Sequence, residues 1–447
     1  MLKKGLLFLC LLTLVLSTLS CAPAEKDDTV TLKMWIMPNS LEPQIDIDDV
    51  LKKFEEKNPK IKVKATVIDW GAAWTKITTA ATSNDVPDIV QLGSTWVGAI
   101  SGMDALLDVA DRVEEIGGAG AFVPASWKTA GIAGSGKITA IPWIVDCRAL
   151  FYRSDVFKKA GVNPAELDTW EGFKNALDKV KKANITIEGL QIYPLGMPGK
   201  NDWNVVHNLA PWIWAAGGNF LAEDNRTPIV NSKEALKGIM FYIGLAKADY
   251  VPAEYLELNT AQVSSNFNNG SVGMYFDGPY EVKTLTTPPA QGGASEGITA
   301  GNFGVTQYPK GPTGRYTFIG GSNLGIFKAS KHKEEAWQVV KYLTSDPTAQ
   351  LDYTKACGFL PARMSVFNHP YFSAHPGRKI FKDAVKYGRA YPAISGWGLL
   401  EPILTRRFGI MWDYVTGSKD PIKEEDIQKQ LDLAKKEIEA VLSQGKK

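Results

Sequence analysis

The stretch Ala140–Asp155, AIPWIVDCRALFYRSD, wraps a hydrophobic run carrying Trp143 and Phe151 around two charges, Asp146 and Arg148. Desolvating an unpaired charge is costly, so the run reads in one of two ways. Either a core strand holds a private ion pair, or the chain here passes a polar pocket. Upstream, from Thr29, short β-forming segments alternate with amphipathic ones. TVTLKMWIM (29–37) predicts a strand, and QIDIDDVLKKFEEKNP (44–59) a helix that places Ile45, Val50, Leu51 and Phe54 on one face and stops at Pro59. KIKVKATVID (60–69) alternates like a second strand, AAWTKITTAATSND (72–85) is helical, and PDIVQLG (87–93) is a third strand opened by Pro87. That order is the pattern of parallel βαβ units.

Downstream the pattern restarts. TWEGFKNALDKVKKAN (169–184) predicts a helix capped by Thr169, and SKEALKGIMFYIGLAKADY (232–250) another. GSVGMYFDGPYE (270–281) is a strand running into a turn, and NFGVTQYP (302–309) a strand behind the Pro- and Gly-rich surface loop TTPPAQGGASEGITAG (286–301). KHKEEAWQVVKYLTSDP (331–347) and the terminal KEEDIQKQLDLAKKEIEAVLSQ (423–444) are helices, the latter with a solvated charged face and Ile427, Leu431, Leu433, Ile438 and Leu442 turned inward. Two α/β lobes are the economical reading of 447 residues. The 45% hydrophobic and 22% charged content is that of a folded soluble chain and excludes general disorder.

The first residues, MLKKGLLFLCLLTLVLSTLSC, combine Lys3 and Lys4 with an apolar run, Gly5–Leu16, too short to span a bilayer. This resembles a bacterial lipoprotein signal that ends before Cys21, the residue to be lipidated. Leu19 and Ser20 suit that pattern, and Thr18 departs from its usual Leu. Residues 1–20 are then leader and 21–28 a polar tether. Without Lys3 and Lys4 the chain carries as many acidic as basic side chains, so nucleic acid is not an expected partner. Cys10 leaves with the leader. For Cys147 and Cys357 export permits a disulfide, and two buried thiols are the alternative.

Enzyme signatures are sparse. His207, His332, His369 and His375 form no His-x-x-x-His pair, and no nucleophile elbow, P-loop or dinucleotide fingerprint occurs. A spatial carboxylate pair of glycosidase type remains open, with Asp146 and Asp277 the conceivable members. No cofactor or metal is called for. The stronger signal lies in the 13 tryptophans. Trp70, Trp74, Trp96, Trp203 and Trp397, with Tyr280, sit in loops or at strand ends beside polar residues. Aromatic faces pack on the C–H faces of sugars while carboxylates and amides bond the hydroxyls. Packing in a core is the competing role for each. Trp35, Trp170, Trp212, Trp337 and Trp412 lie in regular elements and are assigned to packing. His207, at a predicted helix start, is a ligand contact or a satisfied imidazole.

The ordered segments LEPQIDIDDVLKKFEEKNPKIKVK, VPDIVQLGSTW, AIPWIVDCRALFYRSDVFKKAG followed by TWEGF, FNNGSVGMYFDGPYE and FIGGSNLGIFKASKHKEEAWQVVKYL resemble the extracellular solute-binding proteins of bacterial ABC transporters, the class that includes maltose- and oligosaccharide-binding proteins. The resemblance covers nearly all of the chain after the leader. It implies an α/β fold of the type II periplasmic-binding-protein kind, each lobe a βαβ-type sheet flanked by helices, joined by a hinge of several crossings. The expected lobes are 29–143 with 306–344, and 144–305 with 345–447. The implied function is non-catalytic capture of a mono- or oligosaccharide by a monomer that delivers it to membrane permease subunits. A polyol phosphate or polyamine on the same fold, and an exported glycosidase, are the alternatives. The resemblance also locates a site. Asn39 and Ser40 match the loop after the first strand, and Thr95 and Trp96 the loop after the third. Asp146 edges the cleft and accepts sugar hydroxyls, and Arg148 orients it or reaches the ligand. His207 and Tyr280 match aromatic contacts of the second lobe, and Trp397 a late stacking aromatic. Gly320, Gly321 and Ser322 form a loop where backbone approaches a sugar; Trp70, Trp203 and Asp277 complete the set. The loops MPNSLEP and GSTW lack the strongly charged residues of the maltose-binding relatives.

If Cys21 carries lipid, Cys21→Ser moves the chain from the membrane to the soluble fraction of the host, because the acyl chains are what hold it. Fractionation that finds the native chain soluble in its own host overturns the anchor.

Overall fold

A computed structural model describes residues 29–83, 85–202, 204–416 and 421–444. The leader, Cys21, the tether and Trp203 lie outside the described residues. Thirteen strands are described: β1 Val30–Ile36, β2 Ile61–Val67, β3 Ile89–Gly93, β4 Ala140–Cys147, β5 Ala149–Arg153, β6 Thr186–Ile187, β7 Leu190–Gln191, β8 Tyr193–Gly196, β9 Val272–Asp277, β10 Phe303–Thr306, β11 Thr317–Ile326, β12 Leu360–Pro361 and β13 Gly388–Arg389. They form two main sheets. The first has the order β12-β4-β11-β3-β1-β2, with β13 on β11; the second has the order β10-β5-β9-β8. β6 and β7 make a separate hairpin.

In the first sheet β1 pairs in parallel with both β2 and β3, as the βαβ reading requires. The helix Pro43–Lys57 returns the chain from β1 to β2 and buries Ile47, Val50, Leu51 and Phe54. Ile45, expected on that face, is exposed instead. The spacing 47, 50, 51, 54 follows one helical stripe, and position 45 falls outside it. Two antiparallel strands, β4 and β11, then extend the sheet from β3.

The second sheet is built on β5 and β9, which pair antiparallel from Ala149↔Asp277 to Tyr152↔Met274. β8 joins in parallel and β10 antiparallel. Its main covering helix is Trp170–Ala183, capped as expected by the Thr169 hydroxyl accepting from the Gly172 N–H. Trp170 and Trp212 fill the space above the sheet, their rings 5.8 Å apart. Trp337 and Trp412 are buried too, whereas Trp35 is half-buried under the Lys76 ammonium, 4.6 Å from its ring.

The chain passes between the sheets twice in the strands themselves. β4 stays in the first sheet through Cys147, and β5 begins the second at Ala149, so Arg148 alone is the first crossing. Residues 307–316 make the second, between β10 and β11. The two are laced together: the Arg148 N–H donates to the Thr317 hydroxyl, which donates back to the Arg148 carbonyl, at 3.0 and 2.8 Å. The expected lobe boundaries differ from this pairing at two places. Residues 144–147, assigned to the second lobe, are strand β4 of the first sheet. Pro347–Cys357 and β12, likewise assigned to the second lobe, pack on the Pro43–Lys57 helix and pair with β4. The helix Trp397–Thr416 packs chiefly on the second body, against Val205–Ala215 and Glu424–Gln444, and touches Val97–Gly102 of the first. Cys147 and Cys357 are separate buried thiols.

Gly321 sits within β11 with φ +110°, and a Cβ there would lie 2.1 Å from the Ile144 carbonyl oxygen. No rotamer relieves a clash with backbone, and the positive φ adds strain. Gly321→Ala therefore lowers unfolding stability by at least about 2 kcal/mol. Urea melts of the purified variant measure it, and a midpoint equal to the native one contradicts the strain.

Candidate functional site

At the Arg148 crossing the two charges of the opening stretch meet a third. The Arg148 Nη1 donates to Asp277 at 2.7 Å and to the Tyr280 hydroxyl at 2.9 Å, and its Nη2 lies 3.3 Å from Asp146. Asp146 comes from β4 of the first sheet; Asp277 ends β9 of the second, and Tyr280 follows it across the Gly278–Pro279 turn. The Tyr280 hydroxyl also donates to Asp277. Arg148, Asp146 and Asp277 are all buried. Of the readings of Arg148, the ion pair is what the structure shows, and it is made to one carboxylate from each sheet.

One carboxylate oxygen in this cluster stays orphaned. Asp146 Oδ1 is buried and makes no hydrogen bond of good geometry among the described residues, although the Cys147 N–H bears on the carboxyl. Burial pushes its carboxyl up to about 6, Arg148 opposes that and Asp277 adds to it. Asp277 is also raised by burial, but it accepts from Arg148, Tyr280, Tyr275 and the Gly278 N–H. Behind it, buried Glu281 accepts from Ser264 and is pushed up to about 8, first by burial and then by Asp277.

Two aromatic walls flank the cluster. On the first body Trp96, at the N-cap of Val97–Gly102, meets the edges of Trp70 and Trp74 with ring centres 5.6 Å away in each case. All three indoles and Thr95 are half-buried. The opposite wall is a stack. His207, on Val205–Ala215, lies parallel to Phe318 at 4.2 Å, Phe318 is 4.9 Å from Tyr391, and Tyr391 stacks on Trp397 at 4.6 Å. The His207 Nδ1 shares a 2.9 Å hydrogen bond with the Tyr391 hydroxyl. Burial, helped by Arg148, takes the imidazole down to about 3, so it is neutral at physiological pH.

The walls converge on the start of Trp397–Thr416. Gly398 faces the Trp74 ring closely enough that a Cβ would lie 3.0 Å away. Glu401, one turn on, has its carboxyl 3.7 Å from His207 Nε2. Burial raises it to about 7, partly offset by Thr95 and Trp397. Sequence reasoning missed Glu401. It is a single acid in a mixed helix, and the one available signal was its place in the otherwise apolar run GWGLLEPIL.

The remaining expected residues lie apart from this focus. Asn39 bonds Gln91 and the Tyr353 hydroxyl at 3.0 and 2.9 Å, and Ser322 accepts from Gln91 at 2.7 Å, so both belong to a buried network of the first body. The Ser40 hydroxyl is buried beside that network's loop with no bond among the described residues. Gly321 contributes its carbonyl to the Ser94 N–H. Trp397 differs from expectation: it opens a regular helix and is 1% exposed, because Tyr391 and Phe220 cover it.

The family profile of bacterial extracellular solute-binding proteins matches residues 40–350. Among characterised relatives, the diacetylchitobiose binding protein DasA of Streptomyces coelicolor is 26% identical over 397 residues, 85% of each chain. Two solved structures share the fold. A solute-binding protein of Thermotoga lettingae bound to α-D-tagatose has a TM-score of 0.76 at 24% identity, covering 93% of this chain and 100% of that one. The sugar-binding protein MalE of Xanthomonas citri has a TM-score of 0.76 at 24% identity, covering 93% and 98%.

The burial of Trp397 fixes an outcome. Trp397→Ala removes a ring packed on Tyr391 and Phe220 and lowers stability by about 3–5 kcal/mol, the range of a core aromatic truncation. Chemical denaturation beside the native chain tests it; a loss below about 1 kcal/mol would place the ring outside the core.

Proposed function

The chain belongs to the bacterial extracellular solute-binding proteins, and from that premise we propose that it is the capture component of an ABC importer for a neutral carbohydrate. The orphaned Asp146 oxygen carries the reading. A buried carboxylate oxygen with no donor calls for one from a ligand, and a sugar hydroxyl is a neutral donor of the right length. The half-buried indoles of Trp96 and Trp70 supply apolar faces for the ring carbons. Tyr280 presents a half-buried ring from the other lobe, its hydroxyl held by Asp277 and Arg148.

The charge arrangement weighs against the alternatives. A phosphorylated polyol needs cationic donors, and the cluster's guanidinium is already shared by two carboxylates. A polyamine needs several acids facing the cleft, whereas Asp277 is saturated by donors of its own lobe. Glycosidase chemistry needs one acid free to protonate and another free to attack, and Arg148 ties Asp146 and Asp277 together. Capture proceeds by the lobes closing about the Arg148 and 307–316 crossings, which excludes water and forms the surface read by permease subunits. The leader exports the chain and Cys21 anchors it as a monomer on the outer face of the membrane. Among the described residues no helix is long and apolar enough to cross one.

Maltose, diacetylchitobiose and D-tagatose form a first panel. A carbohydrate that binds the native state raises its melting temperature. For the tightest of the three, Trp96→Ala weakens binding by roughly 1–3 kcal/mol, about 5- to 150-fold, with a small change in melting. Calorimetric titration reads both numbers. No response to these or a wider carbohydrate panel sinks the sugar reading, and unchanged affinity in the variant removes Trp96 from the site.

A further inference from the structure

Away from the Arg148 crossing the two lobes touch again in two places, one on each face of the first sheet. Pro43–Lys57 and Pro347–Cys357 pack on one face, with Leu32, Met34 and Ile36 of β1. Trp70–Ser83 and Val97–Gly102 pack on the other, with Val90 and Leu92 of β3. On the first face the second lobe reaches across with the short helix Tyr280–Thr284 and the loop behind it. The Lys283 ammonium donates to the Lys355 carbonyl at 3.1 Å and to that of Ala356. Both lie in the last turn of Pro347–Cys357, where helix carbonyls lack intrahelical partners. Gly358 follows with φ +78°, so close that a Cβ would lie 2.9 Å from the Tyr280 Cα, and the Phe359 and Tyr280 rings are 5.3 Å apart. Nine residues beyond Lys283, Gly292 meets Leu41, which follows Asn39 and Ser40; a Cβ there would lie 3.6 Å from three Leu41 side-chain carbons. Both contacts share one footing, since Tyr353 of Pro347–Cys357 bonds Asn39 at 2.9 Å.

On the opposite face the contact comes from the segment that leads into Trp397–Thr416. The Ala393 carbonyl accepts from the Ala133 N–H at 2.8 Å. A Cβ on Gly98 would lie 2.6 Å from the Ile394 carbonyl oxygen, and one on Gly102 2.6 Å from the Ser395 Cβ. Gly398 meets the Trp74 ring in the same seam. Glycine lets the two chains lie here without a side chain's width between them. The first stop is equally firm. Pro288 and Pro289 restrict its backbone, and the Ala294 and Ser295 N–H groups close the loop on the Thr284 and Thr287 carbonyls at 2.8 and 3.0 Å. We propose, building on the carbohydrate reading above, that the cleft is a cell closed at both ends and selects short carbohydrates, of one or two rings, against longer chains. The aromatic faces between the stops are the half-buried indoles of Trp96 and Trp70 from one lobe and the Tyr280 ring from the other, a platform for one or two rings. A longer chain has to leave past Leu41 and Gly292 or past Trp74 and Gly398. Each ring lodged there holds the lobes apart and forfeits the contacts made on closing, so length is rejected by obstruction.

The test is calorimetric titration of the native chain with D-tagatose and with the two-, four- and six-ring members of the malto-, cello-, xylo- and chito-oligosaccharide series. Expected in any series that binds is a loss of affinity of at least about tenfold from two rings to four, and no gain at six. D-tagatose binding with every four- and six-ring chain refused supports the proposal equally. Two variants then loosen the Leu41 end. Lys283→Met keeps the length of the side chain and removes its grip on the Pro347–Cys357 carbonyls; Leu41→Ala removes the bulk against which Gly292 rests. Melting curves establish that each variant is folded, and either one suffices. In the folded variant the four-ring chain gains on the shorter ligand by about threefold or more, because the obstruction is relieved for the long ligand alone. Four- or six-ring chains bound by the native chain as tightly as their two-ring parent overturn the proposal and leave the carbohydrate reading intact. So does a length preference that both folded variants keep unchanged. Failure of every carbohydrate to bind the native chain overturns both.

Discussion

The contact on which this architecture turns is the Arg148 guanidinium held between Asp146 and Asp277. One residue separates β4 of the first sheet from β5 of the second. A free tether at that point would allow the lobes any relative orientation. Arg148 instead pins a carboxylate from each lobe within 3.3 Å of one planar fork. Buried ion clusters of this kind add little net stability over apolar packing, yet removing one partner leaves an uncompensated charge and costs roughly 3–5 kcal/mol. The cluster thus specifies geometry more than it stabilises the fold. The Thr317 hydroxyl, bonded both ways to the Arg148 backbone, ties the second crossing to the first.

From that point the chemistry of the cleft follows by subtraction. The cluster holds two acids and one base, so its preferred guest carries no further negative charge. Asp277 is satisfied from within its own lobe, and Asp146 is left with one oxygen bare. A rigid acceptor with an unfilled lone pair, between half-buried indoles, favours a guest with hydroxyls at its rim and C–H on its faces. The preference is for a class, because indole faces and a carboxylate recognise features common to most sugars.

How much of this was legible in the sequence depends on what kind of pattern carried it. The βαβ order, the Thr169 cap and the crossing near Asp146 were readable, because hydrophobic period, capping chemistry and misplaced charge are local signals. Ile45 was misassigned because a helix start offers too few turns to fix its face. Trp397 was read as a loop aromatic free to stack on a ligand; it opens a helix instead, and the Gly398 beside it lets that helix start pack closely against Trp74. Asn39 and Ser322 look like ligand contacts in their loops, but Gln91, four residues before Thr95, gathers both into a buried network. That capture is a tertiary fact with no sequential trace. Glu401 was invisible for a like reason: His207, the ring beside its carboxyl, lies 194 positions away along the chain.

Asp146 lies against Arg148, and Glu401 against His207. Burial raises Asp146 and Arg148 opposes it; burial also takes His207 down, and there Arg148, acting through space, adds to it. A protonated His207 would pair with Glu401 at 3.7 Å and fix that carboxyl as a permanent anion. The guanidinium therefore has a second effect at a distance. Burial is the larger cause that suppresses the imidazolium, and burial also raises the Glu401 carboxyl to about 7.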